Sequence, residues 1–462
     1  MRKPEGATFR QYSLLVPAGR RARENRSMQR RSFLFSLAAR RSRPNIVLVL
    51  ADDLGSNDLS CYGSRDIRTP HIDGIAARGV RFSRFYANAP ECTPTRTALL
   101  TGRYPQRVGG LECAIGTGNV GRYDEAAWLQ QRGELGLPPA ESVLAHALRE
   151  RGYSTACMGK WHLGYAEKHW PAAHGFDESF GVLGGNADYF RHTEDAGDHV
   201  LFENRRRVKR DGYLTDLIAD AAIAWIEKRK RGTPFFLYLP FTAPHAPIQD
   251  PDGGPGTPDL KGNRAIYAKM VERMDRRLGD VLAALNRTGA ADNTLVIFTS
   301  DNGADANGSN APLRGRKSSL WEGGIRAGCV MRFPGVIREG VECAQLGLTF
   351  DLTATVLAAA GARAARLDGI DLLPVATGQR PASSRTAFWR YKRAERRLKA
   401  VREGDLKLVG ENGKEELYDL AADPLERSGL LASRPEDAAR LRALLARWEK
   451  DVAAPRLAGF PA

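Results

Sequence analysis

The chain has 462 residues, 42% of them hydrophobic and 47 of them glycine, enough to bury a large core and to support one big domain with a smaller one. Its formal charge of +15 is concentrated at one end: residues 1–43 hold twelve Lys/Arg against two Glu, and no basic stripe interleaved with aromatics argues for nucleic acid. No run approaches the roughly 18 apolar residues of a membrane-spanning helix, and the six cysteines lack C-x-x-C spacing, which excludes a zinc ribbon or a dense disulfide framework and predicts mostly buried thiols.

Within the basic tail, Arg30-Arg31-Ser32-Phe33-Leu34-Phe35-Ser36-Leu37 has the form of a twin-arginine export signal, with Met28 as a candidate start. A working signal implies a periplasmic or secreted protein, a merely basic tail a cytoplasmic one. Residues 45–51 are a short apolar run, the pattern of a strand buried on both faces of a parallel sheet, and they end in Asp52-Asp53. Adjacent carboxylates at such a position repel each other and resist desolvation, and a hard cation resolves the conflict.

Residues 69–79 read as a capped helix and 80–82 as a strand leading to Glu91-Cys92-Thr93-Pro94-Thr95-Arg96. Thr93 is a candidate N-cap, Pro94 suits the first helical position, and Gly102 ends the run, so Cys92 is expected just before a helix N-terminus. Free N–H groups and the helix dipole favour an anion there, and Arg96 adds a guanidinium fork suited to a tetrahedral oxyanion. Residues 109–139, rich in Gly, Gln and charge without clear period, read as an insertion on the active-site side.

A helix over 141–151 and a buried strand over 153–158 follow, delivering Gly159-Lys160-Trp161-His162 to a loop. On an extended segment Lys160 and His162 point the same way, and the pair suits charge stabilisation with proton transfer. Residues 165–210 are loop-rich; the scattered His169, His174, His192 and His199 lack ligand spacing and are expected at the surface, and the Arg205-Arg210 run as a solvated turn. A helix over 214–230 and a strand over 235–240 lead into Pro244-His245-Ala246-Pro247, where two prolines restrict the backbone and position His245. A long helix over 265–285 precedes a fourth apolar strand, 294–300, that ends in Asp301-Asn302-Gly303; the next loop carries one more candidate cation, Lys317.

A strand over 327–333 and a helix over 349–360 complete the alternation, which stops near 371–385. Short strands at 398–402, 406–409 and 417–419 and a helix over 436–448 predict a small antiparallel sheet with one helix. The expected fold is therefore α/β, a large mixed, mostly parallel sheet flanked by helices, with residues 44–380 as the catalytic domain and 381–462 as a C-terminal subdomain. In open α/β sheets ligands bind outside the carboxyl ends of the strands, where Asp52-Asp53, Lys160-Trp161-His162, His245 and Asp301-Asn302 all fall.

Over nearly all of residues 44–455 the chain resembles a type I sulfatase of the alkaline phosphatase-like superfamily. The resemblance is carried by Cys92-Thr93-Pro94-Thr95-Arg96 with Leu100-Thr101-Gly102-Arg103, by Gly152-Tyr153-Ser154-Thr155 through Gly159-Lys160-Trp161-His162, and by Pro244-His245-Ala246-Pro247, Asp301-Asn302-Gly303 and Trp321-Glu322-Gly323-Gly324. Thr95 stands where the family usually has serine, while the Cys, Pro and Arg of the maturation signal are kept. The resemblance implies that a maturation enzyme oxidises Cys92 to formylglycine, and that Asp52, Asp53, Asp301, Asn302 and modified Cys92 hold one calcium ion. It implies a formylglycine hydrate attacking the sulfur of a sulfated small molecule or glycan. Arg96 would stabilise the hydrate, Lys160, Lys317 and His245 would bind sulfate, His245 or Lys317 would protonate the leaving alcohol, and His162 would take the proton that lets the hemiacetal expel sulfate. A phosphate or phosphonate ester hydrolase of the same superfamily, and a silent sulfated-glycan binder with an unmodified Cys92, are the competing readings.

Overall fold

The computed structural model describes residues 43–116, 123–194, 197–256 and 262–461; the Arg30-Arg31 segment lies outside them. In chain order the strands are β1 (Asn45–Ala51), β2 (Val80–Phe82), β3 (Phe85–Tyr86), β4 (Ser154–Lys160), β5 (Glu178–Val182), β6 (Leu201–Glu203), β7 (Arg206–Arg207), β8 (Phe235–Pro240), β9 (Thr294–Ser300), β10 (Cys329–Arg332), β11 (Val341–Cys343), β12 (Gly347–Leu348), β13 (Thr386–Arg393), β14 (Arg396–Glu403), β15 (Leu406–Glu411) and β16 (Lys414–Asp419). Ten of them make one sheet in the order β11-β2-β10-β9-β1-β8-β4-β5-β6-β7. The central strands β9, β1, β8, β4 and β5 are parallel, and antiparallel β10 and β6 continue the sheet on either side. The four apolar runs that end in chemically loaded residues are thus immediate neighbours pointing the same way.

The unbroken apolar sequence of β1 follows from burial on both faces: Ile46, Leu48 and Leu50 enter one core, and Val47, Val49 and Ala51 the other. Helices Pro70–Ala77, Leu214–Glu227 and Arg264–Arg287 cover the second face, and Cys92–Thr101, Leu144–Glu150 and Thr349–Ala359 the first. The helix expected over 141–151 is shorter because Pro139–Glu141 forms a separate 3-10 turn and the Val143 amide donates to the Leu100 carbonyl at 3.0 Å. Five of the six cysteines are buried, and among the described residues no helix is long and apolar enough to cross a membrane.

Strands β13 to β16 form the antiparallel C-terminal sheet, packed with helix Pro435–Asp451. β13 is an addition to the expected strands; its alternation is visible in Ala387, Trp389 and Tyr391, all buried. This sheet shares the first core with the large one. Trp389 Nε1 donates to the Ala87 carbonyl at 2.8 Å, and the buried Lys407 ammonium donates to Glu322 Oε1 at 2.9 Å and Glu426 Oε1 at 2.8 Å. The C-terminal strands therefore hold both the chain leading to Cys92 and the Glu322 segment after Lys317.

Three of the four histidines expected at the surface are buried: His169, His174 and His192. The loops after β4 fold back onto the sheet edge through aromatic contacts that have no periodic signature. Trp161 Nε1 donates to the His169 carbonyl at 2.7 Å, and the Trp161 and His174 rings lie 5.0 Å apart. The arginine run is exposed, and Arg206–Arg207 form the edge strand β7, where charge discourages further pairing. Burial, with positive charge from His169 and His146 adding to it, pushes His174 from 6.5 down to about 3. The unfolded chain then takes up a proton near pH 6.5 that the folded chain refuses until about pH 3, so stability is lost as pH falls through that window. Denaturant unfolding of wild type and His174→Phe between pH 8 and 5 checks this: the wild-type unfolding free energy should fall more steeply with acidification, by up to about 1.4 kcal/mol per pH unit.

Candidate active site

Each of the four central strands delivers its side chains to one buried point. β1 ends at Asp52 and Asp53, β4 at Lys160, β8 opens the loop carrying His245, and β9 ends at Asp301 and Asn302. Asp52, Lys160, Asp301 and Asn302 are fully buried and Asp53 nearly so. Asp53 takes a left-handed φ of 60°, a conformation aspartate tolerates better than most residues, and its amide donates to Asp301 Oδ1 at 3.3 Å.

The helix that meets these strand ends begins at Cys92 itself, with Glu91 in the N-cap position, so the expectation of a Thr93 cap is corrected. Thr93 Oγ1 is engaged elsewhere: it donates to the His162 carbonyl at 3.0 Å and accepts from the Ile115 amide at 3.2 Å. All ten helix residues, Cys92–Thr101, are buried, and Gly102 closes the helix at φ 67°, where a Cβ would meet Leu367 at 2.5 Å. The Cys92 thiol donates to Asp52 Oδ1 at 3.1 Å, lies 3.9 Å from Asp53 Oδ1, and stands 3.5 Å from Lys160 Nζ.

Three carboxylates gathered out of water require counter-charges, and three cations supply them. Lys160 pairs with Asp52, Lys317 Nζ donates to Asp53 Oδ2 at 2.6 Å, and Arg96 grips Asp301 Oδ2 through Nε at 3.0 Å and Nη2 at 2.8 Å. The third Arg96 donor, Nη1, goes to the Lys160 carbonyl at 2.8 Å, so the guanidinium fork holds protein groups together and does not face open space as expected. Burial opposes ionisation of Asp53, but Lys317, His245 and Lys160 together outweigh it and hold that carboxyl well below the usual range; burial and the neighbouring Asp52 push Asp301 up to about 6. Burial, with Asp301 and Asp52 beside it, pushes the Cys92 thiol well above its ordinary value, so an unmodified Cys92 in this centre is held as a thiol and not as the thiolate nucleophile.

Lys317 Nζ also meets His245 Nε2 at 3.2 Å, while His245 Nδ1 faces the Ala246 carbonyl at 2.6 Å. A carbonyl only accepts, so the ring proton sits on Nδ1 and Nε2 accepts from the ammonium. Burial and Lys317 push His245 down to about 3, in keeping with a neutral ring. Lys317 and His245 keep 13% and 17% of their side-chain surface exposed whereas Arg96 and Lys160 keep none, so solvent reaches the cluster from their side.

Donor atoms of Asp52, Asp53, Cys92 and His245 lie within 4.8 Å of one another, a grouping with His245 where Asp301 was expected. Arg96 holds only Asp301 Oδ2, while Asp301 Oδ1 accepts from the Asp53 amide beside this group. Asn302 Nδ2 donates to Asp53 Oδ1 at 2.7 Å and to the Gly303 carbonyl at 2.9 Å, leaving Asn302 Oδ1 buried without a partner. An orphaned amide oxygen among carboxylates is what a hard divalent cation requires, and the donor set fits one.

His162 is buried nearby, but β4 ends at Lys160 and His162 takes a φ of 59°, so the simple alternation expected of an extended segment is broken. Its Nε2 faces the Ile115 carbonyl at 2.5 Å and its Nδ1 is buried without a partner. Sequence reasoning missed Glu91, which is fully buried and engaged by three chain segments; the one available signal is a lone acid directly before an otherwise buried helix.

A catalytic centre at the carboxyl ends of a mostly parallel sheet, with a helix N-terminus aimed into acidic and basic side chains, defines the class: an α/β hydrolase centre of the alkaline phosphatase-like fold. The chain belongs to the sulfatase family, whose members hydrolyse sulfuric esters; the Sulfatase family model matches residues 44–362, and the model for the C-terminal part of N-sulphoglucosamine sulphohydrolase matches 316–450. Steryl-sulfatase of Mus musculus is 34% identical over 445 residues, covering 78% of this chain and 69% of its own length. N-acetylgalactosamine-6-sulfatase of Homo sapiens is 35% identical over 353 residues, covering 72% of this chain and 65% of its own. The chain thus spans about two thirds of the length of these relatives. Among solved structures, Ps i-CgsB in complex with k-i-k-neocarrahexaose superposes with a TM-score of 0.79 at 30% identity, over 89% of this chain and 94% of that one. The PsFucS1 sulfatase from Pseudoalteromonas sp. gives 0.70 at 25% identity, over 92% and 93%.

The Arg96 clamp has a direct consequence for stability. Arg96→Met removes the guanidinium from Asp301 and leaves a buried, uncompensated carboxylate, so chemical denaturation should show a loss of about 3–5 kcal/mol.

Proposed function

We propose that the protein hydrolyses a sulfate monoester borne by a carbohydrate or aryl alcohol, with Cys92 matured to formylglycine and one calcium ion held by Asp52, Asp53, Asp301, Asn302 and the modified residue 92. The observation that carries this reading is the position of Cys92 Sγ, 3.1 Å from Asp52 Oδ1 and 3.5 Å from Lys160 Nζ, in a centre where a thiol stays protonated. Hydrated formylglycine supplies there an oxygen nucleophile that can return to the aldehyde when sulfate leaves, which a serine cannot do. Calcium, when bound, supplies positive charge against the sulfuryl oxygens and offsets the carboxylates.

The remaining work falls to the chain's own residues. Lys160 and Lys317 bring ammonium groups into the cluster around residue 92, each already paired with one aspartate, and suit the equatorial oxygens of a sulfuryl group. Lys317, hydrogen-bonded to a neutral His245 and the one of the three paired cations that keeps solvent exposure, is the better placed proton donor to the departing alcohol; His245 holds it in position and accepts at Nε2. His162 donates Nε2–H to the Ile115 carbonyl, which leaves Nδ1 as its free basic atom and suits it to withdraw the proton that frees sulfate. Arg96 keeps Asp301 ionised and fixes the β4 carbonyl, so the two strand ends cannot drift apart.

The ligand of one structural relative favours a carbohydrate ester: the similar Ps i-CgsB is seen in complex with k-i-k-neocarrahexaose. The test pairs peptide mass spectrometry with kinetics on matched aryl sulfate and aryl phosphate, after co-expression with a formylglycine-generating enzyme. The residue-92 peptide should be about 18 Da lighter than the cysteine form. The sulfate ester should turn over faster than the phosphate ester, and Cys92→Ala should abolish both activities; an unmodified, inactive Cys92 contradicts the reading.

A further inference from the structure

Glu91 lies directly before the nucleophile position, is fully buried, and caps nothing with its side chain. Its two oxygens divide their partners unequally. Oε1 accepts from Ser318 Oγ at 2.6 Å, from the Tyr391 hydroxyl at 2.8 Å, and from the Arg393 guanidinium. Oε2 accepts from the Ala114 amide at 2.7 Å. Despite its burial, Arg393 and these hydrogen bonds hold the carboxyl below its ordinary range.

The Ala114 contact is half of a strap. Ala114 N–H is held by Glu91 and Ile115 N–H by Thr93 Oγ1, so the residues on either side of Cys92 grip two successive amides of the insertion. The Ile115 carbonyl in turn accepts Nε2–H of His162, and Thr93 Oγ1 donates to the His162 backbone carbonyl. The ring orientation and tautomer of His162 therefore depend on a two-residue segment whose place is set by Glu91 and Thr93. On its other oxygen Glu91 fixes Ser318, next to Lys317; the Ser318 amide also donates to the Pro90 carbonyl at 2.9 Å.

We infer that Glu91 is a positioning residue which, through the Ala114-Ile115 strap, holds His162 with its Nδ1 free to act and registers that histidine to the nucleophile. The inference rests on the proposed role of His162 in releasing sulfate. A carboxylate is required because both oxygens must accept. In Glu91→Gln the amide keeps only one oxygen, and three donors at Oε1 against one at Oε2 decide which side it serves; the NH2 group then faces the Ala114 N–H and the strap loses its partner. Thr93→Val releases the same strap from the other side and leaves Glu91 intact.

The experiment compares wild type, Glu91→Gln, Thr93→Val and Tyr391→Phe as full-length matured proteins, with rates normalised to the aldehyde content of each residue-92 peptide. Hydrogen exchange by mass spectrometry should show faster exchange across residues 111–116 in the first two variants and wild-type exchange there in Tyr391→Phe. With an aryl sulfate, kcat and KM should fall together by about tenfold or more at unchanged kcat/KM, and a rapid burst of phenol before the slow steady state should appear in Glu91→Gln and Thr93→Val. The burst marks slowed sulfate release, which general loosening of the site would not produce because it slows both steps together.

Wild-type exchange in the strap of Glu91→Gln, or loss of kcat without a burst in both strap variants, overturns the inference. If Glu91→Gln fails to fold, Thr93→Val carries the same expectations. A matured wild type that does not turn over aryl sulfate overturns the functional reading instead, and the exchange measurement, which needs no turnover, tells the two failures apart.

Discussion

Three aspartates brought together out of water are the constraint from which the rest of the site follows. Asp52, Asp53 and Asp301 sit at the ends of the adjacent strands β1 and β9, and in a dry, low-dielectric setting each would destabilise the others. The neighbouring elements answer this repulsion one charge at a time: Lys160 from β4, Arg96 from the helix at Cys92, and Lys317 from the loop after β9. The elements that supply cations are held by bonds made elsewhere, so the site is rigid before any ligand arrives. An arrangement that costs this much desolvation is hard to explain as packing and easy to explain as preorganisation for a cation and an anion together.

The C-terminal sheet belongs to that rigidity. It grips the chain before Cys92 through Trp389 and Tyr391, and the segment after Lys317 through Lys407 and Glu416. A small antiparallel sheet that looks peripheral in the sequence thus fixes the distance between the nucleophile helix and the cation nearest solvent. Glu91 lies where these contacts converge, which is why a single carboxylate can influence both sides of the site.

Much of this was legible beforehand, and for physical reasons. Strands buried on both faces need unbroken apolar runs, so β1, β4, β8 and β9 stand out, and parallel strands place their carboxyl ends together, which gathers Asp52, Asp53, Lys160, His245, Asp301 and Asn302. What could not be read was contact through side chains at long range. The partner of Arg96 is 205 positions away, and nothing in its spacing distinguishes a fork for a substrate anion from a fork for Asp301. The histidines at 169, 174 and 192 are buried by aromatic packing in loops that carry no period, and Glu91 acquires its role only when the Ala114 amide and β13 arrive from elsewhere. The N-cap was misplaced because Thr93 has better partners in His162 and Ile115 than in its own helix.

Calorimetric titration of calcium into the metal-free, matured protein tests most directly whether these aspartates are gathered for a cation. The account predicts a single saturable binding event that weakens by about an order of magnitude or more in Asn302→Ala, which deletes a buried amide oxygen left without a partner beside Asp53. Absence of binding to the wild type, or undiminished binding in the variant, would contradict it.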